Sequence, residues 1–121
     1  MEFYESFYSV PEFQRYANSL KIKSKYINKI PIIIDRFSKT DPEIKMHKYL
    51  LDNQLLFSDL MTLLRKSLSI YSYQSLFLFH YKTNTVINMS ENINTFYDKY
   101  KDRDGFLYIV YSLENTFGCK K

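Results

Sequence analysis

The stretch that decides the fold is "FLYIVY", residues 106–111, close to the end of the chain. Every side chain in it is apolar or aromatic, without the polar alternation of a strand that has one wet face. We therefore expect a central strand that is covered on at least one face. Gly105, directly before it, is one of two glycines in the chain and predicts a turn that ends the preceding helix.

Further strands are expected where short apolar or β-branched runs occur. These runs are residues 29–35, 47–51 and 75–81, followed by a short return strand at 86–88. The polar residues 38–43 and 82–85 between them predict turns.

Helices are expected between these strands. Leucines at positions 60, 63, 64 and 68 form an apolar helical stripe, and Ser90 is a candidate cap for a later helix. Ser9 and Glu12 match a capping box that predicts the start of an N-terminal helix. A shorter helical piece is expected around residues 2–8.

The order of elements predicts an α+β fold. Two antiparallel hairpins flank a helix, and the apolar last strand inserts in the middle of the sheet. This arrangement is a ubiquitin-like β-grasp, here with two additional N-terminal helices.

Composition limits the class of protein. The 121 residues correspond to one domain that is long enough to bury a core. No apolar run reaches the ~18 residues of a membrane span, and the start lacks the pattern of a secretion signal, so we expect a cytoplasmic protein. The net charge is +4, and residues 13–34 contain five basic side chains and no acidic one. Such a segment is either a solvated helix face or a contact for an acidic partner or a membrane surface.

The residues do not indicate an enzyme. His47 and His80 lie in predicted strands without the spacing of a metal site, and two distant glycines exclude a phosphate-binding loop. Cys119 lies too near the end of the chain to be held against a catalytic base. We therefore expect no catalytic residue, no metal and no cofactor. Nucleic acid is not expected as a partner, because the net charge is modest and no RNA-binding signature is present.

Two motifs carry a resemblance to a known family. "KYxxxxPxxxxR" comprises Lys25, Tyr26, Pro31 and Arg36, and "FLYIxYSxENTFG" spans residues 106–118. Together they resemble the autophagy ubiquitin-like modifiers of the GABA-receptor-associated and microtubule-associated light-chain type. The resemblance covers residues 22–118 with small gaps, and the chain is similar to a divergent paralogue.

The resemblance implies a chemistry for the tail. A processing cysteine protease would cut between Gly118 and Cys119, with Phe117 as a handle. Activating and conjugating enzymes would then join Gly118 to phosphatidylethanolamine on the autophagosome membrane. Glycine suits this position because a residue without Cβ lets several active sites approach its carbonyl. The implied organisation is an N-terminal helical extension at 1–27, a ubiquitin-like core and tail at 28–118, and a cleaved extension at 119–121.

The resemblance also implies a receptor site, in which an aromatic-x-x-aliphatic peptide adds a strand to the edge strand at residues 48–51. The first pocket, for the aromatic side chain, would comprise Asn18, Ile22, Pro31, Ile33, Lys48, Leu50 and Phe106. The second pocket, for the aliphatic side chain, would comprise Tyr49, Leu51, Leu55, Leu60, Leu63 and Arg65. Lys48 and Arg65 would contact acidic residues of the ligand. Ordinary core is the alternative for the apolar members, Ile33 and Leu63 above all.

Departures from the family pattern leave other functions open. Asn18 replaces an acidic residue, Met46 and His47 replace charges, and Asp52 stands where relatives have proline. One alternative is a peptide-binding adaptor that is not conjugated. Another is a modifier joined to a protein instead of a lipid.

Overall fold

The structure is a computed structural model that describes residues 2–113. The helices are α1 (Glu2–Tyr8), α2 (Glu12–Lys25), α3 (Phe57–Leu68) and α4 (Ile93–Tyr100). The strands are β1 (Lys29–Arg36), β2 (Lys48–Asp52), β3 (Phe77–His80) and β4 (Leu107–Ser112). The order of these elements confirms the predicted α+β class with two N-terminal helices before the first strand.

The four strands form one sheet in the order β2-β1-β4-β3. β1 and β4 are parallel, with Ile32 opposite Leu107 and Arg36 opposite Tyr111. β2 pairs antiparallel with β1, and β3 pairs antiparallel with β4. The last strand therefore lies in the middle of the sheet, as its apolar sequence predicts.

Both faces of the sheet are covered, because side chains in a strand alternate between faces. Ile30, Ile32, Ile34, Leu107, Ile109 and Tyr111 belong to a core cluster that includes side chains of α3 and α4. Ile33, Tyr108 and Val110 face the other way and belong to a second cluster with Tyr4 and Phe106. β4 is buried along its whole length for this reason.

Helix α1 is anchored in the second cluster by Tyr4. This side chain is fully buried, and its hydroxyl donates hydrogen bonds to the backbone oxygens of Ile33 (2.9 Å) and Ile109. The phenol thus lies over the junction between β1 and β4. Burial, with a contribution from nearby Asp35, raises the pKa of Tyr4, so the hydroxyl stays a donor.

Helix α2 is joined to β4 through the buried Asp104. Arg15 Nη1 donates to Asp104 Oδ2 at 2.5 Å, Tyr108 donates to the same oxygen, and the backbone N–H of Phe106 donates to Oδ1 at 2.9 Å. The next residue, Gly105, has a φ of 87°. A Cβ there would lie 2.2 Å from Ser19 Oγ, so the close approach of α2 requires glycine.

Several local predictions were wrong. The return strand at 86–88 is a single bridge between Val86 and Phe79. Asn92, not Ser90, caps α4, and its Oδ1 accepts from the N–H of Thr95 at 3.0 Å. Ser90 instead donates to Asn88 in a turn.

Two further corrections concern helix ends. Helix α4 ends at Tyr100, and Gly105 serves the turn that follows, where its N–H donates to Asp102 O at 3.0 Å. At the start of α2, the N-cap residue is Pro11, which makes no side-chain capping hydrogen bond. The predicted cap, Ser9, instead donates its hydroxyl hydrogen to Ser6 O at 2.6 Å.

His80 ends β3 as a buried, hydrogen-bonded side chain. Nε2 lies 3.1 Å from Tyr100 O, which can only accept, so Nε2 carries the proton. Nδ1 lies 2.8 Å from the hydroxyl of Thr83, which can donate to it. Burial lowers the pKa of His80, and the charge of Lys82 adds to this effect. The neutral imidazole is therefore the form that the fold favours.

We expect Asp104→Ala to destabilise the fold strongly. Arg15 and Tyr108 would lose their shared acceptor in a buried site, which lowers the free energy of unfolding by about 3–5 kcal/mol. Urea denaturation at neutral pH measures this change. The matched control is Arg103→Ala, which breaks an exposed ion pair with Glu12 (3.3 Å) and should cost less than about 1 kcal/mol. Equal effects of the two variants would contradict the role of Asp104.

We expect stability to fall as the pH drops below about 6.5, the ordinary pKa of histidine. The pKa of His80 is lowered in the folded state, so the unfolded state binds more protons in this range and is favoured by acid. His80→Gln should show a smaller loss of stability between pH 7 and pH 5 than the unmodified chain, by urea denaturation. An unchanged pH slope would refute the assignment.

Candidate functional site

The open edge of the sheet is β2, whose one neighbour within residues 2–113 is β1. The opposite edge, β3, is partly paired by the segment that follows it. The N–H of His80 donates to Thr85 O at 2.8 Å, and the N–H of Ile87 donates to Leu78 O at 2.9 Å. The backbone groups with which an added peptide strand would pair are therefore those on the outer side of β2.

The side chains of β2 alternate between two different surroundings. Lys48 lies opposite Ile33 and Leu50 opposite Pro31, so these four share the face that carries α1 and α2. Tyr49 and Leu51 lie on the other face and pack against the cluster that contains α3. The edge strand is thus flanked by a different apolar surface on each side of the sheet.

The structure brings most of the predicted first-pocket residues together. Ile33 is fully buried, Phe106 is 3% exposed, and Ile22 of α2 packs against the cluster that contains both. Pro31 is buried, whereas Lys48 and Leu50 are exposed. Ile33 is therefore as buried as an ordinary core residue, whereas the side chains of Lys48 and Leu50 are exposed at the edge of the sheet.

Asn18, one turn before Ile22 on α2, is not part of the buried apolar cluster. Its side chain is exposed on α2 and accepts from Gln14 Nε2 at 3.2 Å within the same helix. The amide gives this end of the site a polar but uncharged group. This position therefore offers no full negative charge to a cationic side chain of a ligand.

The predicted second-pocket residues differ widely in exposure. Leu60 is fully buried and Leu51 is 6% exposed, so both are core, whereas Leu63 of α3 is 42% exposed. Tyr49 and Leu55 are half-buried against the same cluster, and burial raises the pKa of the Tyr49 phenol. The surface that a ligand can reach on this side thus centres on Leu63.

The two predicted cations are held differently. The Lys48 ammonium has no hydrogen bond to the described residues, and Nζ lies 5.3 Å from the centroid of the Phe7 ring. Arg65 donates to Gln74 O and, at 3.5 Å, to Tyr71 O. These hydrogen bonds tie the Arg65 guanidinium to the loop after α3. Of the two cations, Lys48 is therefore the more available to an acidic group.

Asp52 and His47, two other departures from the family pattern, have local structural roles. Asp52 accepts from the N–H of Gln54 at 2.8 Å and shapes the turn after β2. Met46, just before β2, is 63% exposed. Next to it, His47 Nδ1 lies 2.9 Å from Ile34 O, and its ring stacks on Phe3 at 4.1 Å.

The predicted conjugation residues Phe117, Gly118 and Cys119 lie outside the described residues. The structure does describe the end of β4 and Leu113, the first residue after it. Asp41 Oδ1 accepts from Ser112 Oγ at 3.2 Å and from the N–H of Leu113 at 3.0 Å. Tyr111 donates to Pro42 O at 2.5 Å. The loop after β1 therefore holds the point from which the tail departs.

One residue at the site was missed by sequence reasoning. Phe7 of α1 meets Phe106 edge to face, with 5.6 Å between ring centroids. The signal was present, since Phe3, Tyr4, Phe7 and Tyr8 follow helical spacing in "MEFYESFY". No functional role was predicted for this short helix from its sequence.

The described part of the chain does not offer a metal site or a membrane span. Residues 2–113 contain no group of three or more His, Cys, Asp or Glu side chains placed to hold a metal ion. Within the same residues, no helix has both the length and the apolar character needed to cross a bilayer.

Comparison with solved structures places the fold among known proteins. The crystal structure of Trypanosoma brucei ATG8 matches with a TM-score of 0.79 and 28% identity, over 86% of this chain and 89% of that one. Plasmodium falciparum Atg8, solved in complex with a P. falciparum Atg3 peptide, matches with a TM-score of 0.77 and 29% identity, over 88% and 93% of the two chains.

Sequence comparison agrees with the structural match. Autophagy-related protein 8 of Pichia angusta is 36% identical over 107 residues, 87% of this chain and 83% of that protein. Autophagy-related protein 8A of Oryza sativa subsp. indica is 38% identical over 106 residues, 87% of each. A family model described as "Autophagy protein Atg8 ubiquitin like" matches residues 14–118. The chain therefore belongs to the Atg8 family of ubiquitin-like autophagy proteins.

Proposed function

We propose that this chain is a ubiquitin-like modifier that is processed after Gly118, conjugated to phosphatidylethanolamine on autophagosomal membranes, and bound there by receptor peptides. It is a substrate and a binding partner, not an enzyme. Before conjugation it resides in the cytoplasm. Its partners are a processing cysteine protease, activating and conjugating enzymes, and peptides of the aromatic-x-x-aliphatic type.

The conjugation part is supported by the family match and by the tail sequence. The family model matches up to Gly118 and leaves residues 119–121 unmatched. The tail leaves the sheet at Leu113, where Asp41 holds the backbone. Gly118 is the fifth residue after this anchor, which at about 3.3 Å per residue allows a reach of at most roughly 16 Å. A reach of this length is compatible with delivery of Gly118 to a partner's active site while the domain stays folded.

The chemistry needs only the carboxyl group of Gly118. Hydrolysis of the Gly118–Cys119 peptide bond consumes one water and leaves a carboxylate. ATP converts this carboxylate to an acyl adenylate with release of pyrophosphate, and an enzyme thiol displaces AMP to form a thioester. The amine of phosphatidylethanolamine then displaces the thiol and forms an amide. Two acyl chains arrive with the lipid, and they suffice for stable anchoring.

The receptor part is carried by one observation, the alternation of β2 side chains between two apolar surfaces. In an added strand, residues i and i+3 point to opposite faces and lie about 10 Å apart along the strand. An aromatic side chain on the face of Ile33 therefore places the aliphatic side chain three residues later on the face of Leu63. The peptide-bound Plasmodium falciparum Atg8 supports a peptide site in a relative of this fold.

We expect Gly118→Ala to abolish both tail processing and lipid attachment. The added methyl group obstructs approach to the carbonyl. Intact mass spectrometry of the protein from autophagy-competent cells should show loss of residues 119–121 and a fraction with the mass of phosphatidylethanolamine, in the unmodified chain only. The matched control is Lys120→Ala, which changes a residue that leaves with the extension and should process normally.

Two outcomes would favour the alternatives. An intact tail in the unmodified chain after starvation would support an adaptor that is not conjugated. A processed tail attached to a protein, without any lipid adduct, would support a protein-conjugated modifier.

We expect binding of an acidic aromatic-x-x-aliphatic peptide to depend on its spacing. One extra residue between the aromatic and aliphatic positions turns both side chains to the same face, so affinity should fall at least about tenfold. Fluorescence anisotropy with labelled peptides measures the two dissociation constants.

Variants of the chain control this experiment. Leu63→Ala should weaken the peptide with the proper spacing about tenfold, because the side chain is 42% exposed in the free protein and becomes buried by the ligand. Tyr73→Ala, at an 81% exposed site after α3, should leave affinity unchanged. Equal affinity for both peptide spacings would rule out strand addition at β2.

A further inference from the structure

Phe7, in the last turn of α1, lies against the residues of the first pocket. Its ring meets Phe106 edge to face at 5.6 Å, and Lys48 Nζ lies 5.3 Å from its centroid. Phe7 and Ile22 both pack against the buried cluster that contains Ile33 and Phe106. Two of the proposed first-pocket residues, Phe106 and Lys48, therefore already contact an aromatic ring of the chain itself, and Ile33 and Ile22 belong to or pack against the same cluster.

We propose that Phe7 is a built-in occupant of the first pocket, and that a receptor's aromatic side chain must displace it in order to bind. The inference rests on the proposed peptide-binding function. It makes Phe7 a residue that sets how tightly such peptides bind, although Phe7 is on neither the edge strand nor α2.

The contacts of Phe7 are those that an aromatic ligand residue would make. An edge-to-face pair with Phe106 and a cation over the ring are favourable for any aromatic side chain. Lys48 is also the cation that is free to meet an acidic group of a ligand. When Phe7 leaves, the ligand ring takes over the contact with Phe106, and Lys48 is released toward the acidic flank.

The rest of α1 does not need to move for this exchange. Tyr4, one turn earlier, is fully buried and bonded to the backbone of β1 and β4. Tyr8 donates to Asp102 Oδ2 at 3.3 Å, and the Arg15 guanidinium lies 4.6 Å from its ring centroid. Phe7 is only half-buried, so rotation of its side chain opens the pocket while these two tyrosines keep the helix in place.

The occupant lowers apparent affinity by the fraction of time that it fills the pocket. A ligand that binds only the open state has an apparent dissociation constant equal to the intrinsic one divided by the open fraction. When the Phe7 side chain is removed, the first pocket is open in every molecule. From the size of an aromatic pair and of a cation–π contact, we expect Phe7→Ala to tighten peptide binding about threefold to tenfold.

The test is fluorescence anisotropy with one acidic aromatic-x-x-aliphatic peptide and the full chain. Phe7→Ala should bind more tightly than the unmodified chain, and Phe7→Leu should lie between them. The matched control is Phe13→Ala, which deletes a phenylalanine that is 74% exposed on α2 and should leave affinity within about twofold. Circular dichroism melts establish that each variant is folded.

Affinity that is unchanged or weaker in folded Phe7→Ala would overturn the inference, and weaker binding would mean that Phe7 forms a wall of the pocket. Absence of binding by both the unmodified chain and Phe7→Ala would overturn the proposed peptide function itself, and the inference with it. Binding by the variant alone would support both.

A second measurement uses the unmodified chain and does not depend on variant folding. Proton NMR should show a nuclear Overhauser contact between the rings of Phe7 and Phe106 in the free protein. The contact should disappear when the peptide saturates the site, while the contacts of Tyr4 persist. A Phe7–Phe106 contact that survives at saturation would refute displacement.

Discussion

The rest of the structure depends on the parallel pairing of β1 with β4. A parallel pair at the centre of a sheet points apolar side chains to both faces, so both faces must be covered. α3 and α4 cover the face of Ile32 and Ile109, and α1 with α2 cover the face of Ile33 and Tyr108. The N-terminal helices are therefore part of the fold's second core, since without them Ile33, which is 0% exposed, would face water.

The same constraint places the open edge of the sheet. With β1 and β4 at the centre, β2 becomes an edge strand that has a helix-covered face on either side. Lys48 and Tyr49 are neighbours in sequence, yet they open onto two different apolar surfaces. An extended ligand bound at this edge, as we propose, would contact the two surfaces through alternate side chains. Phe7 contacts the first of these surfaces, so α1 both covers the core and adjoins the edge that we propose as the binding site.

Sequence patterns predicted the elements best where burial is uniform. "FLYIVY" and the isoleucine run of β1 are apolar throughout, and both are central strands. Prediction failed where a choice between similar local signals depended on distant contacts. Ser90 and Asn92 are both good helix caps, but the backbone of Ile93 is held by Leu55 O (3.0 Å), which starts α4 after Asn92. Gly105 was predicted to end α4, whereas its positive φ serves the turn before β4 and its missing Cβ allows the close approach of Ser19.

The sequence by itself determined the α+β class, the central position of the last strand, the family and the expected chemistry at Gly118, because these depend on local composition and on contiguous motifs. Only the tertiary structure decided that Ile33 and Leu60 are core while Leu63 is exposed, that Arg65 is engaged by the loop carbonyls, and that Phe7 lies beside Lys48. The physical reason is that these properties depend on which surfaces meet across the sheet. Residues 41 to 99 positions apart in the chain make the contacts of Phe7 with Lys48 and Phe106, and no local pattern specifies such pairings.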